Sequence, residues 1–250
     1  MSRNQPAWLK LLTEQLGAEL VSWSDEDRMH YGRDWTKFFT PNPTAIVFPK
    51  TTDQIVQIVQ FANQHSIAIV PSGGRTGLSG GAVATNGELV LVMDRMNKIL
   101  DFDSIDQTVR CQAGVITKQL QQFAEEKQLM YPVDFASSGS SQLGGNIATN
   151  AGGIKVIRYG LTRRWVAGLS VVTGKGELLH FNHGLVKNAT GYDLRHLFIG
   201  SEGTLGIIVE ATMQLCKPPN DHSVLLLGLP DMAAVMQVFS LFRDQFDLSA

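Results

Sequence analysis

The chain has 250 residues, 44% of them hydrophobic and 18% charged, enough apolar material for one large domain or a domain with an appended fragment. With 21 basic against 23 acidic residues the net charge is −2, and no Lys/Arg run supplies the footprint of nucleic-acid or anionic-membrane binding. No apolar run reaches the roughly 20 residues that span a bilayer, and Cys111 and Cys216 lack metal-ligand spacing, so buried reduced thiols in a cytoplasmic protein are expected.

In chain order, Trp8, Leu9, Leu12 and Leu16 recur at helical spacing within Met1–Leu20, with Glu14 and Glu19 between them. The pattern predicts an amphipathic helix, unlike the uninterrupted apolar core of a signal peptide. A polar stretch through Tyr31 and Asp34 leads to a short buried strand, Thr44–Phe48, ended by Pro49. Thr52 or Asp53 is expected to cap the next helix, in which Ile55, Val56, Ile58, Val59 and Ala62 share the sequence with Gln54, Gln57 and Gln60. Ile67–Val70 is predicted to close a β-α-β unit and to run into a glycine-rich loop. Short strands are predicted at Leu89–Met93, Lys98–Phe102 and Thr108–Gln112. Thr117–Lys127 predicts a helix with Leu120, Phe123 and Ala124 inward, and Asn146–Asn150 a single helical turn. Val166–Thr173 and Leu178–Phe181 read as a hairpin, Asp193–Ile199 as a short helix closed by Gly200, and Gly206–Leu215 as a strand ended by Pro218-Pro219. Beyond these prolines, Val224–Leu229 predicts a strand and Asp231–Phe246 an amphipathic helix, a pair that cannot bury both apolar faces against each other. The whole is mixed α/β with many short strands.

Residues 71–81 read Pro-Ser-Gly-Gly-Arg-Thr-Gly-Leu-Ser-Gly-Gly, and residues 139–153 read Gly-Ser-Ser-Gln-Leu-Gly-Gly-Asn-Ile-Ala-Thr-Asn-Ala-Gly-Gly. Two loops so poor in side chains expose backbone N–H groups in a concave array, the usual way of holding a diphosphate. Neither carries a residue that acts on a phosphate, so the phosphates are read as a cofactor's handle. The first loop has no Lys and no Gly-Lys-Ser/Thr tail, which rules out a P-loop. The Gly74–Gly77 spacing, Pro71 at the strand end and the lack of a helical pattern after Gly81 rule out the Rossmann fingerprint. A plain surface turn is the competing reading; Arg75 and Thr76 argue against it, since a guanidinium and a hydroxyl are what an anion cradle adds to its N–H groups. For the second loop the competing reading is a linker. Leu143, Ile147 and Ala148 require burial and argue against that, while Asn146, Thr149 and Asn150 offer donors and acceptors for hydroxyls or ring edges.

Ser201-Glu-Gly-Thr204 is a candidate carboxylate loop, but Glu202 as the cap of a local turn is the stronger reading. His30, His65, His180, His183, His196 and His222 are scattered without ligand spacing, and Asn182-His183 beside Lys187-Asn188 is no more than a cluster near a glycine. No catalytic residue and no metal site are assigned.

Together these segments resemble the FAD-linked oxidase family that includes vanillyl-alcohol oxidase, and within it the D-2-hydroxy-acid dehydrogenase branch of D-lactate, D-2-hydroxyglutarate and glycolate enzymes. The resemblance is carried by Pro71–Gly81, by Gly144–Gly153, and by Asn188-Ala-Thr-Gly-Tyr-Asp-Leu-Arg-His-Leu-Phe-Ile-Gly-Ser-Glu-Gly-Thr-Leu-Gly-Ile207. It implies an α/β (α+β) fold: a two-lobed FAD-binding domain of the PCMH type with short mixed sheets. The expected division is 1–38 as lead-in, 39–218 as the FAD-binding domain and 219–250 as the opening of a truncated substrate (cap) domain. By resemblance, Gly73, Gly74, Thr76, Gly77 and Leu78 hold the diphosphate, with Pro71 and Arg75 in the same loop. Gly144, Gly145, Thr149, Asn150, Gly152 and Gly153 line the ribityl and flavin side, with Gly139 at the head of that segment. The backbone around Gly206 and Ile207 also touches FAD. Some relatives attach the flavin through a His after the Gly-Gly of the first loop; Arg75 stands there, so non-covalent FAD is expected.

The family oxidises the hydroxyl-bearing carbon of a small 2-hydroxy acid by hydride transfer to the flavin. The electron acceptor (quinone, flavoprotein, cytochrome or dioxygen) and a homodimer are left open. In that branch the base, the substrate-binding groups and a His-rich metal motif come from a C-terminal domain, of which Val224–Phe246 resembles only the opening. No base, substrate Arg or metal ligand is therefore carried over. The expectation is an FAD-dependent D-2-hydroxy-acid dehydrogenase or oxidase; the alternative is a non-catalytic FAD-binding fragment or electron-transfer subunit that needs the missing domain or a partner chain.

Overall fold

The computed structural model describes residues 6–182, 184–185, 187–219 and 223–249. His183, the Asn220-Asp-His222 stretch and Met1–Gln5 of the N-terminal pattern lie outside the described residues.

Helix α1 (Ala7–Leu16) turns Leu9 and Leu12 into the core, and a 3-10 turn leads into strand β1 (Val21–Ser22). Helix α2 (Asp25–Tyr31) follows, with the Ser24 hydroxyl accepting from the Asp27 N–H and three carboxylates in the first turn. The stretch that reads merely as polar thus holds a strand and a helix. A cap and favourable charge at the helix N-terminus replace the apolar stripe that pattern reading looks for.

Strands β2 (Ala45–Val47), β3 (Ile69–Ser72) and β4 (Leu89–Val92) run parallel, and β1 joins antiparallel, in the order β1-β2-β4-β3. Helix α3 (Thr52–Gln64) crosses from β2 to β3. Its cap is Thr51, whose hydroxyl accepts from the Gln54 N–H at 3.2 Å, and neither Thr52 nor Asp53. Strand β3 sits two residues later than expected and contains Pro71, which the sheet accommodates because β3 is an edge strand. All four residues of β4 are buried because both sheet faces are covered. Leu89 and Leu91 face the main core, while Val90 and Val92 meet Ile46, Phe48 and Ala84, with Tyr31 and Val70 against them.

The second sheet is antiparallel, in the order β5-β6-β9-β7-β8: β5 (Ile99–Asp103), β6 (Thr108–Gln112), β7 (Val166–Thr173), β8 (Leu178–Phe181) and β9 (Gly206–Gln214). Helices α4 (Thr117–Glu126), α5 (Leu143–Ala148), α6 (Val156–Tyr159) and α7 (Arg195–Phe198) lie between its strands in sequence. Helix α5 begins earlier than the single turn expected from the pattern, because Leu143 and Ile147 are fully buried. The main core joins the two sheets through Leu89, Leu91, Val109, Cys111, Val171 and Val209, with Leu120, Leu143 and Ile147 from the helices. Each such side chain contributes about 1.5–3 kcal/mol on burial. Both cysteines are free; burial pushes the Cys111 thiol up to about 12 and raises that of Cys216 as well.

After Pro219 the expectation holds in part. Helix α8 (Met232–Gln245) forms, capped by the Asp231 carboxylate at 2.8 Å from the Ala234 N–H. Val224–Leu229 is not a strand: it pairs with nothing among the described residues, and Val224 and Leu226 are 90% and 95% exposed. A helix satisfies its own backbone, whereas a strand requires a neighbour.

Candidate functional site

Loop 71–81 leaves the C-terminal end of β3, the end of a parallel sheet at which ligands usually lie. It meets loop 139–153 directly. A Cβ on Gly74 would fall 2.3 Å from the Ser140 carbonyl oxygen and 2.8 Å from the Ser141 Cα, so only glycine permits this contact. A third segment closes the flank. The Gly200 N–H donates to the Ile147 carbonyl at 3.1 Å, the Glu202 N–H to the Ala148 carbonyl at 2.9 Å, and Gly203 packs on the Pro71 ring. The three segments that are far apart in sequence are thus one surface. It is the Glu202 backbone, with φ of 52°, that ends α5; its carboxylate makes no cap and reaches toward Gly81.

The first loop is held from behind. The Asp34 carboxylate, 6% exposed, accepts from the Gly80 and Thr36 N–H groups, both at 2.8 Å, and the Trp35 N–H donates to the Gly77 carbonyl. The Arg75 guanidinium donates to the Gly73 carbonyl at 2.7 Å and to both Asp94 oxygens at 3.2 and 3.0 Å. Sequence reasoning aims this guanidinium at a bound anion; in the structure a carboxylate engages it. What the loop presents instead is backbone: the N–H groups of Arg75, Thr76, Gly77 and Leu78 have no acceptor among the described residues.

The glycines of the second loop divide by what they face. On Gly139 and Gly145 a Cβ would meet nothing within 4 Å; on Gly73 of the first loop it would meet Gln142 and Gly145 at no less than 3.5 Å. Gly144, Gly152 and Gly153 instead pack on Ala113, Leu161 and the Asp134 carbonyl oxygen, at 2.7, 2.4 and 1.8 Å from an added Cβ, so they fold the loop. Asn146 is buried and donates to the Thr117 hydroxyl at 2.6 Å, itself 2.8 Å from Ser141 Oγ; it belongs to the fold. The Thr149 hydroxyl donates to the Gly145 carbonyl, and Asn150 Oδ1 accepts from the Arg163 N–H. Gly206 packs on Val171 at the head of β9, the Ile207 side chain lies in the core, and both residues pair with β7.

Two further carboxylates are each paired with a cation. Burial pushes Asp134 up, but Lys155 at 3.0 Å, with Gln121 and Lys118, holds it below the usual carboxylate range. Arg195 at 2.6 Å holds Asp193 down likewise. Sequence reasoning missed Asp34 and Asp94, which belong to no motif, and gave no role to Gln142 within the second loop. Gln142 Nε2 donates to Asp94 at 2.7 Å, and its Oε1 is buried at the seam of the loops with no partner among the described residues. Loop backbone whose N–H groups find no acceptor among the described residues, beside an orphaned acceptor, fits a diphosphate-linked, hydroxyl-bearing cofactor.

The FAD binding domain family matches residues 43–182, more than half of the chain. The chain belongs to that family. FAD is accordingly the cofactor of this FAD-binding domain. The chain is 63% identical over 228 residues to the D-2-hydroxyglutarate dehydrogenase of Stutzerimonas stutzeri (strain A1501), covering 91% of the chain and 49% of that protein. It is 39% identical over 229 residues to the glycolate oxidase subunit GlcD of Bacillus subtilis (strain 168), covering 92% and 49%. A solved alkyldihydroxyacetonephosphate synthase superposes with a TM-score of 0.75 at 25% identity, over 88% of the chain and 45% of that structure. The two-lobed mixed α/β architecture is shared with that structure. The FAD-binding chain spans about half the length of the curated relatives it matches.

Proposed function

We propose that the chain is the flavin-holding part of an FAD-dependent D-2-hydroxy-acid dehydrogenase, with D-2-hydroxyglutarate the leading substrate. The observation that carries this is 63% identity, across nine-tenths of the chain, to a protein named for that substrate. In this reading Gly73, Gly74, Arg75, Thr76, Gly77 and Leu78 hold the diphosphate through backbone N–H groups, beside Pro71. Gly139, Gly145, Thr149 and Asn150 form the ribityl and flavin side on a segment that Gly144, Gly152 and Gly153 fold, and the Gly206 and Ile207 backbone closes it. The bound FAD supplies the two-electron acceptor for the hydride of the hydroxyl-bearing carbon. This chain's residues bind the cofactor, orient it and exclude water from one side of it.

No side chain here is offered as the base: Arg75 is paired with Asp94, and the Thr149 hydroxyl is bonded to Gly145. Base and substrate-binding groups are assigned to the half of the relatives' length that the chain does not span. We place the FAD-binding domain at 39–218, after a lead-in of 1–38, and read 219–250 as the opening of the next domain. The unpaired Val224–Leu229 and the unburied α8 support that division. They also favour a second reading, in which the chain binds FAD without turning over a substrate unless that domain or a partner chain completes it. Among the described residues no helix is long and apolar enough to cross a membrane; we assign the chain to the cytoplasm.

The test is to purify the chain, quantify bound FAD, add D-2-hydroxyglutarate, D-lactate or glycolate without oxygen, and follow the absorbance of oxidised flavin. Bleaching supports the dehydrogenase; retained FAD that none of the three reduces supports the second reading. A colourless chain that stays empty in excess FAD overturns both. Sizing the yellow chain tests a homodimer, and reoxidation by a quinone or dioxygen identifies the acceptor class.

A further inference from the structure

Arg75 is the one non-glycine in loop 71–81 with left-handed backbone, φ 58°, a conformation that L residues adopt only under constraint. The free N–H groups of residues 75–78 follow from that turn, so whatever holds Arg75 there shapes the cradle. The constraint is visible. Both Asp94 oxygens take the guanidinium fork, the Gly73 carbonyl takes a third bond, and the Tyr31 ring lies 4.9 Å from the guanidinium carbon. Asp94 follows β4, whose register is set by pairing on both sides, so it is a rigid anchor. The same carboxylate accepts from Gln142 of the second loop. One carboxylate therefore ties the parallel sheet to both halves of the site. With Arg75 against it, it adds no net negative charge facing a diphosphate.

We propose that Asp94 is a positioning residue for FAD: acting through Arg75, it fixes the left-handed turn that points the N–H groups of loop 71–81 at the diphosphate, without touching the cofactor. This rests on the assignment of that loop to FAD. Asp94→Asn keeps an acceptor for Gln142 but loses the charge that clamps Arg75. Arg75→Gly supplies the left-handed turn with no clamp. The FAD dissociation constant of the chain, read from flavin fluorescence, is measured for wild type, both single variants and the double variant. Asp94→Asn is expected to weaken FAD about tenfold in the wild-type background, and less than about twofold in the Arg75→Gly background. Wild-type affinity in Asp94→Asn overturns the proposal. So does an equal loss in both backgrounds, which is what a merely structural role produces. Gly77→Val, whose added Cβ meets only Asp34 Oδ2 at 3.7 Å, separates the two failures: if that variant keeps FAD, the assignment of loop 71–81 itself falls.

Discussion

A Cβ on Gly145 enters open space, whereas one on Gly74 strikes the Ser140 backbone, so two glycines alike in sequence do different work. Gly145→Val is expected to abolish FAD retention while the flavin-free chain melts as the wild type does. Gly74→Val should lower the melting temperature even without FAD, a loss of about 1–3 kcal/mol from overpacking. Thermal melts with and without FAD separate the two. The buried Thr117–Ser141–Asn146 network yields a third expectation. Thr117→Val leaves the Asn146 amide and the Ser141 hydroxyl short of a partner and should cost about 1–3 kcal/mol in urea unfolding, read as a lower midpoint at an unchanged slope. Asp34, Asp94 and Gln142 show why this part of the site escapes a reader of residues. Their roles depend on partners 19 to 48 positions away, and a lone Asp or Gln carries no spacing signal.

Between the elements, short connections are braced by charge. The Arg195 guanidinium joins Asp193 to the Val166 and Ala167 carbonyls and so holds segment 191–195 on β7; the Asp134–Lys155 pair pins the approach to Gly153. Both carboxyl groups have pKa values lowered below the unperturbed one in the folded state, Asp134 by Lys155 against its burial and Asp193 by Arg195. A depressed carboxylate contributes stability that is full above its unfolded value of about 4 and is lost as pH falls through the folded value. Acid titration should therefore lower the melting temperature below about pH 4. Asp193→Asn and Asp134→Asn should flatten that dependence, and an unchanged slope in both would dismiss the two pairs. Elements with a periodic or alternating pattern, such as α3, α4 and β6, were readable because burial selects one face of each. Helix α2 was not, since it buries no residue and stands on its cap and first-turn charges.

At the scale of the molecule, helix α8 buries no residue, and its segment meets the rest of the described chain in the exposed Arg158–Asp247 pair. A chain ending at Pro219 should keep the FAD affinity and melting temperature of the full one; a fall in either would mean that this segment packs on the FAD-binding domain. The amino-acid order by itself determined the run of short strands and helices and the two glycine-rich loops with their family resemblance. Backbone conformation and side-chain-free N–H groups are local properties, so local sequence encodes them. Only the tertiary structure decided which glycines have open space beside them and which pack on protein, and that Arg75 pairs with Asp94. It also decided that Val224–Leu229 stays unpaired. Each of these depends on the neighbour that folding brings alongside, and no stretch of sequence contains its own neighbour.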